Sequence, residues 1–295
     1  MAGAWRSEQH DQVLYFVEDL CVLAFEGRQM IFNMRYEGGV ARRALADSGM
    51  EIPGTLTIEE GKLVIRIPSP SLTVRYRRLD KVPEDARLDP FPLGKRKPKD
   101  AEKAAIRREI GERMKRDQRV RMRAIEASKK GGIDPARAIA SIEKGKPDRP
   151  ETVERMAKVD RENTRRMIEL IRDIGWLSKA RFDAETQLGA FLIVQHSGNM
   201  RLMRTVLPLV EKEAKRDPTL GQTYALLYDR VQLGLGRKQR YGTQTQTNAD
   251  GSVSIGRLEN PLRIDGWRRE MGLGPLGDYV RSLGELYGVT VTIGD

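Results

Sequence analysis

The spacing of apolar residues changes along this chain, and that change limits what it can fold into. Apolar residues alternate in 54–58, 63–67 and 72–76, and Glu59-Glu60-Gly61-Lys62 separates the first two runs. Alternation around a glycine-bearing turn predicts a β-hairpin with a third strand after it. The segment from Gln12 to Tyr36 fits a helix or strands, and Gly38-Gly39 interrupts either one.

Beyond Leu88 the pattern becomes helical. Pro90, Pro92 and Pro98 form a breaker-rich stretch, and 99–127 then carries strong helix formers with a thin apolar stripe. Asp134-Pro135 predicts the start of a further short helix. We therefore predict an α+β chain with a small β-containing domain at 1–90, a basic helical linker at 91–149 and a mainly α-helical domain at 150–295.

The positive charge of the chain is confined to its middle. The formal net charge is +11, and 95–149 contributes 19 Lys and Arg against nine Asp and Glu. A basic helix can follow phosphates or another polyanion, so this segment is a candidate site for nucleic acid or an acidic protein. It contains no aromatic residue for base stacking, and a solvated linker helix is the alternative.

The cysteine content and the length of the apolar runs indicate the cellular compartment that we expect for this protein. Cys21 is the only cysteine, which excludes an intrachain disulfide and fits a reducing compartment. No run approaches the roughly 18 apolar residues of a membrane span, because Glu18 and Asp19 interrupt 14–25. We expect a cytoplasmic protein without a membrane span or signal peptide. The sequence leaves its oligomeric state open.

The C-terminal half contains a series of predicted helices and one polar loop. A helix over 150–174 stops at Gly175, a second over 182–194 leads into His196, and Asn199 can cap a third that starts at Met200. A further helix ends near Gly236. The segment 239–244, Gln-Arg-Tyr-Gly-Thr-Gln, then gathers amide, phenol and hydroxyl groups. A short hairpin at 248–255, a helix near Asp265 and a strand at 289–293 complete the prediction.

Several of these motifs occur together in one known family. They are Asp160-Arg161-Glu162-Asn163, Gly175-Trp176, Gln195-His196, Asp229-Arg230, Gln239, Tyr241-Gly242-Thr243-Gln244 and Arg268-Arg269-Glu270-Met271-Gly272-Leu273. In this order they resemble an uncharacterised bacterial family, domain of unknown function 6624, over about 155–280. The resemblance implies a mostly helical fold and no specific activity. Where that family usually has an acidic turn after the histidine, this chain has Ser197-Gly198-Asn199.

His196 is the main catalytic candidate. An imidazole at a helix C-terminus can exchange protons near neutral pH, or it can serve as a capping or core hydrogen-bond donor. Asp229 could orient His196, and Arg230 could bind a carboxylate or phosphate; alternatively the two form a structural ion pair. Asp160 and Asn163 lie three residues apart on one helix face, where they could support the site or be solvated.

The polar loop has two interpretations. As a ligand clamp, Tyr241 would stack or donate its hydroxyl, Gly242 would allow close backbone approach, and Gln239, Thr243 and Gln244 would orient the ligand. As a structured turn, the same side chains would satisfy buried backbone groups. We favour the clamp, because a turn accounts less well for the two glutamines.

Motifs for known cofactors are missing from the sequence. There is no nucleophile elbow, no phosphate-binding loop and no His-Glu-x-x-His, so any cofactor is unknown, and two histidines disfavour a zinc site. Two hypotheses follow. The first is a helical domain that binds a small polar ligand, with His196 and Asp229 as catalytic residues. The second is a non-catalytic protein that binds an anionic partner through the basic segment.

Overall fold

The computed structural model describes residues 3–17, 19–37, 40–47, 51–68, 72–128, 151–248 and 252–294. The chain forms two compact units. Unit 1 comprises Met1–Leu45 and Met50–Leu202, and unit 2 comprises Ala46–Gly49 and Met203–Asp295. The fold is α+β, as the sequence predicted, with a β-sheet region followed by a mostly helical one. The predicted boundaries near 90 and 149 stay a prediction.

Unit 1 begins with a closed antiparallel barrel in which each strand pairs with the next and β8 pairs with β1. The strands are β1 (Ala4–Ser7), β2 (Gln12–Val17), β3 (Leu20–Phe25), β4 (Arg28–Glu37), β5 (Val40–Leu45), β6 (Glu51–Glu59), β7 (Lys62–Ile67) and β8 (Leu72–Leu79). The predicted hairpin is confirmed as β6 and β7. Glu60 and Gly61 both have positive φ, 49° and 76°, as a two-residue hairpin turn requires.

The barrel is filled by one apolar cluster that draws on every strand. Leu14, Leu23, Phe32, Leu56 and Ile65 are among its fully buried members. Burial on this scale accounts for the strand conformation of 12–36, where the sequence left helix and strand open.

No helix within the described part of the chain has both the length and the apolar composition needed to cross a membrane.

Three helices complete the main body of unit 1: α1 (Asp100–Ser128), α2 (Glu151–Ile174) and α3 (Ala184–His196). Each packs against the other two. Gly189 of α3 permits close packing on α1, because a Cβ there would lie 2.8 Å from Ile110 Cγ2. The helix predicted after Asp134 lies outside the described residues.

Unit 2 contains helices and a small sheet. α4 (Met200–Ala214) starts in unit 1, with Asn199 Oδ1 accepting from Leu202 N at 2.8 Å as predicted for a cap. It is followed by α5 (Gly221–Gly234), β9 (Gln246–Thr247), β10 (Val253–Ile255), α6 (Ile264–Glu270), α7 (Leu276–Tyr287) and β11 (Val291–Ile293). The order of the sheet is β11-β10-β9. An apolar cluster around Ile255, Ile264 and Leu276 forms the core beneath it.

Candidate functional site

His196 is the last residue of α3 and forms a hydrogen bond with a carboxylate of α1. Its Nδ1 lies 2.8 Å from Asp117 Oδ2. The Asp117 side chain is 0% exposed, whereas the imidazole is 18% exposed. No hydrogen bond to Nε2 is present among the described residues. A buried carboxylate on one ring nitrogen fixes the orientation of the imidazole and leaves the other nitrogen for chemistry.

The amphipathic pattern of α1 places Asp117 in this position. Ile106, Ile110 and Asp117 are buried and follow the helical spacing of one face. α3 is fixed at its start by Asp183, whose side chain accepts from Thr186 N at 2.7 Å. The two helices therefore bring together residues 79 positions apart in sequence.

An alternating series of charges extends from this pair. Arg121 of α1 lies 3.2 Å from Asp117 and donates to Asp160 Oδ1 at 2.5 Å. Arg28, at the start of β4, donates to Asp160 Oδ2, also at 2.5 Å. The series therefore links α1, α2 and the barrel. Buried carboxylates that share arginine partners in this way avoid the cost of an unpaired buried charge.

Burial and charge act in opposite directions on Asp117. Burial alone would raise the pKa of its carboxyl group. The hydrogen bond and charge of His196, together with Arg121, outweigh burial and hold that pKa below the ordinary aspartate value. Asp117 is therefore a carboxylate at neutral pH, as a group that orients an imidazole must be.

Two buried polar atoms of α2 and α3 have no hydrogen-bond partner among the described residues. They are Gln195 Oε1, next to His196 in sequence, and Asn163 Nδ2 on α2. Asn163 Oδ1 is occupied, since it accepts from Arg113 at 3.1 Å. Buried polar atoms in native proteins almost always have a partner, which is often ordered water or a ligand. These two helices therefore carry buried polar atoms that the described protein groups do not satisfy.

In unit 2, Asp229 is the centre of the polar loop. It is 0% exposed, and its carboxylate accepts from the backbone N–H groups of Arg240 (2.8 Å), Tyr241 (3.1 Å) and Thr243 (3.0 Å) and from the Thr243 hydroxyl (3.0 Å). Burial raises the pKa of Asp229, while these donors lower it and burial prevails. Asp229 thus anchors the loop to α5.

The two glutamines of the loop close it into a ring. Gln239 is 1% exposed; its Nε2 donates to the carbonyls of Gln244 and Gly256, and its Oε1 accepts from Gln244 N at 3.1 Å. The Gln244 amide donates to Leu226 O at 3.2 Å and to the Thr243 hydroxyl at 2.9 Å. These bonds account for both glutamines within a structured turn.

Tyr241 and Gly242 face the interior of unit 2. The Tyr241 ring packs edge-on against Tyr224 and Tyr228, and burial raises the pKa of Tyr241 to about 12. Gly242 has a φ of +61°, and a Cβ there would lie 2.9 Å from Leu276 Cδ1. Core methyl groups therefore occupy the space into which a side chain at position 242 would extend, and the role of the loop as a ligand clamp stays a prediction.

The predicted site residues thus fall into two groups. His196, Asp160 and Asn163 belong to unit 1. Asp229, the half-buried Arg230 and the loop from Gln239 to Gln244 belong to unit 2. A pocket shared by His196, Asp229 and Gln244 would join the two units and stays a prediction. The sequence reasoning missed Asp117, Arg121 and Arg28.

Much of the described part of the basic segment is engaged inside unit 1. Arg96 binds Glu102 and Asp173, Arg116 binds Glu162, and Arg107 binds Asp183. The predicted binding of an anionic partner by 95–149 stays a prediction, and residues 129–149 lie outside the described part. No group of three or more His, Cys, Asp or Glu side chains within the described ranges could hold a metal ion.

One family model matches the chain. It is described as a family of unknown function (DUF6624) and covers residues 133–292, more than half of the chain. The match confirms the family that the sequence motifs indicated. No curated protein and no solved structure matches. His196 and the polar loop lie inside the matched region, whereas Asp117, Arg121 and Arg28 precede it.

Proposed function

We propose that this chain, which belongs to the family of unknown function (DUF6624), binds a small polar ligand and exchanges a proton with it through His196. Asp117 is the positioning carboxylate. The observation that carries the proposal is the 2.8 Å bond between a partly exposed imidazole and a carboxylate with no exposed surface.

The proton chemistry follows from which ring nitrogen is engaged. An ionised Asp117 accepts a hydrogen bond from Nδ1–H, so the neutral imidazole carries its lone pair on Nε2. That nitrogen can remove a proton from a bound ligand. The resulting imidazolium is stabilised by Asp117 and can return the proton. Holding the tautomer in advance avoids a reorientation of the ring during proton transfer.

Unpartnered polar atoms on α2 and α3, the latter being the helix that ends at His196, support a ligand that is itself polar. Gln195 offers an acceptor and Asn163 a donor, each buried and without a partner in the described part of the chain. A ligand with hydroxyl, amide or carboxyl groups would satisfy such atoms, whereas an apolar ligand would leave them unpaired at a cost of roughly 1–3 kcal/mol each. Asp160 supports the site indirectly, because it holds Arg121 against Asp117.

A hydrogen bond between His196 and Asp117 that only holds α1 and α3 together would have the same geometry. The two roles differ in what they require of the imidazole: a structural hydrogen bond needs only the Nδ1 donor, whereas proton transfer also needs the lone pair on Nε2. His196→Asn separates them, because the asparagine amide can donate to Asp117 from nearly the same place as Nδ1 but provides no base. For unit 2 we propose separately that Arg230, Tyr241 and Gln244 contact a ligand, and this proposal does not depend on His196.

The experiment is a thermal-shift screen of the full chain against metabolites, nucleotides and metal ions. A ligand at about 100 times its Kd stabilises the native state by roughly 2.7 kcal/mol. We expect a hit that is lost or weakened in His196→Asn and Asp117→Asn and retained in His10→Asn, which removes the only other histidine. Gln244→Ala tests the loop in the same screen.

Two results would contradict the proposal. One is a hit that binds both His196→Asn and Asp117→Asn as tightly as the wild type. The other is a complete absence of hits for a wild-type protein that unfolds cooperatively. If Asp117→Asn fails to fold, His196→Asn still decides, because it preserves the hydrogen bond to Asp117.

A further inference from the structure

A cleft of about 610 Å³ in unit 1 is distinct from the His196 pair, and His196 does not line it. Its walls come from the first strands of the barrel, from the segment around Glu84 and Phe91, and from one face of α2. Four carboxylates and six arginines line it, and the arginines are Arg6, Arg28, Arg161, Arg165, Arg172 and Arg201. We call it the arginine cleft; its lining carries a net positive charge.

Some of these arginines hold the cleft in shape. Arg201 donates to the carbonyls of Asp89 (2.8 Å) and Glu84 (2.5 Å). Arg172 pairs with the Glu84 carboxylate at 2.6 Å and lies over the ring of Phe91, 5.0 Å from its centre. Arg28 is held by Asp160. These side chains are fixed by protein groups, so they form the frame of the cleft.

The face of α2 carries the groups that remain for a ligand. Arg161, Thr164, Arg165 and Ile168 follow the i, i+3, i+4, i+7 spacing and all line the cleft. Arg165 is exposed and forms no ion pair with any residue that the structure describes. Arg161 pairs with Glu26 and Glu154, which are themselves partly exposed. Two arginines four residues apart on a helix repel each other, so stability alone does not explain them.

Thr164 supplies the independent observation. It is 4% exposed, and its Oγ1 has no hydrogen-bond partner in the described part of the chain. A buried hydroxyl normally bonds to the protein, to water or to a ligand. Thr164 is one of the residues that line the cleft, and it stands between the two arginines in sequence.

We infer that the arginine cleft binds a phosphate group, with Arg161 and Arg165 as the charged donors and the Thr164 hydroxyl as a third donor. The planar guanidinium fork matches two phosphate oxygens at once, and the excess of two positive charges suits a dianion. The cleft is larger than one phosphate ion and falls in the range of small-molecule sites, roughly 300–1,000 Å³. The partly exposed Ile168 provides apolar surface for the rest of a phosphorylated molecule.

Calorimetric titration of the full chain with inorganic phosphate, pyrophosphate and AMP at constant ionic strength tests this inference. We expect Arg165→Gln to weaken binding about tenfold, the loss typical of one charge-assisted contact. Thr164→Val, which removes the hydroxyl and preserves shape, should weaken binding without lowering the melting temperature. The matched control is Arg119→Gln, an exposed arginine of α1 with no ion pair among the described residues.

The outcomes separate a built site from general charge attraction. Equal losses in Arg165→Gln and Arg119→Gln, or no binding of any probe at about millimolar concentration, would overturn the inference. Selective loss in Arg165→Gln and Thr164→Val supports it. Tighter binding of AMP than of inorganic phosphate then identifies a phosphorylated molecule as the ligand, and equal binding identifies the free ion. The inference does not depend on the proton-transfer role of His196.

Discussion

Replacing Gly242 with alanine should destabilise unit 2, because both the backbone and the surroundings of this residue require glycine. Its φ is +61°, in the left-handed region. An added Cβ would lie 2.9 Å from Leu276 Cδ1, 3.0 Å from Ile264 Cδ1 and 3.4 Å from Leu258 Cδ2. All three contacts are with side chains of the apolar cluster of unit 2.

Two terms contribute to the expected loss of stability. Placing a residue with a Cβ in the left-handed region costs roughly 1–2 kcal/mol. Carbon atoms normally pack about 3.5–4.0 Å apart, so the new methyl group must displace Leu276 and Ile264, and overpacking of this kind costs roughly 1–3 kcal/mol. Together these terms predict that Gly242→Ala lowers the free energy of unfolding by about 2–5 kcal/mol.

Urea denaturation followed by circular dichroism and tryptophan fluorescence measures this change, and Trp267 reports on unit 2. Gly266→Ala is the matched control. Gly266 lies inside α6 with open space around the position of a Cβ. Alanine should therefore stabilise that helix by roughly 0.5–1 kcal/mol. The two substitutions are chemically identical and should change stability in opposite directions.

A free energy of unfolding for Gly242→Ala within about 0.5 kcal/mol of the wild type, the range of ordinary surface substitutions, would refute this reasoning. Ile264 and Leu276 would then not fill the space beside the loop. The glycine would instead remain free for the close ligand approach that the sequence suggested.

Two further predictions concern buried carboxylates. Because the folded pKa of Asp117 is below its ordinary value of 3.8, its stabilising contribution is present above pH 3.8 and is lost as pH falls through the folded pKa. The difference in unfolding free energy between wild type and Asp117→Asn should therefore shrink as pH falls from about 5 through 3.8 and below; a difference that keeps its pH 5 value down to pH 2 would contradict this. Asp229→Ala leaves the buried N–H groups of Tyr241 and Thr243 without an acceptor, so it should lower the free energy of unfolding by about 2–6 kcal/mol. Asp278→Asn, at an exposed position, should lower it by less than about 1 kcal/mol. Equal effects of the two substitutions in urea denaturation would contradict the anchoring role of Asp229.

The strands of the barrel differ in how far the sequence predicts them. The hairpin of β6 and β7 was predictable, because its alternation and its Glu60-Gly61 turn are local signals. The pairing of β1 with β8 was not, because Ala4 and Leu79 lie 75 positions apart and no local pattern links them. The conformation of 12–36 was ambiguous for a related reason: strands with both faces buried lose the alternation that would identify them.

Asp117 was missed although the sequence contains a signal for it. It lies in a strongly basic helix, where charged residues are usually solvated. However, it continues the apolar stripe of Ile106 and Ile110 at helical spacing, so an acid occupies a position that should be buried. A buried acid needs a partner, so an acid at this position predicts a histidine or arginine nearby on a neighbouring helix.

The hydrogen-bond partners of the polar loop could not be predicted from its composition. Gln239, Thr243 and Gln244 suggested a clamp because a connector rarely needs so many directional groups. In the structure these groups bind Asp229, each other and nearby carbonyls. Sequence identifies residues that make hydrogen bonds but not whether their partners are internal, since the partners depend on how the chain folds back on itself.

The tautomer of His196 tests the central claim most directly. Two-dimensional ¹H–¹⁵N spectra of the histidine side chains, recorded at about pH 8.5, well above the ordinary histidine pKa, distinguish the two neutral forms. His10→Asn assigns the signals, because the chain has only two histidines. We predict that His196 carries its proton on Nδ1 and that Asp117→Asn abolishes this preference. A proton on Nε2, or a preference unchanged in Asp117→Asn, would contradict the account.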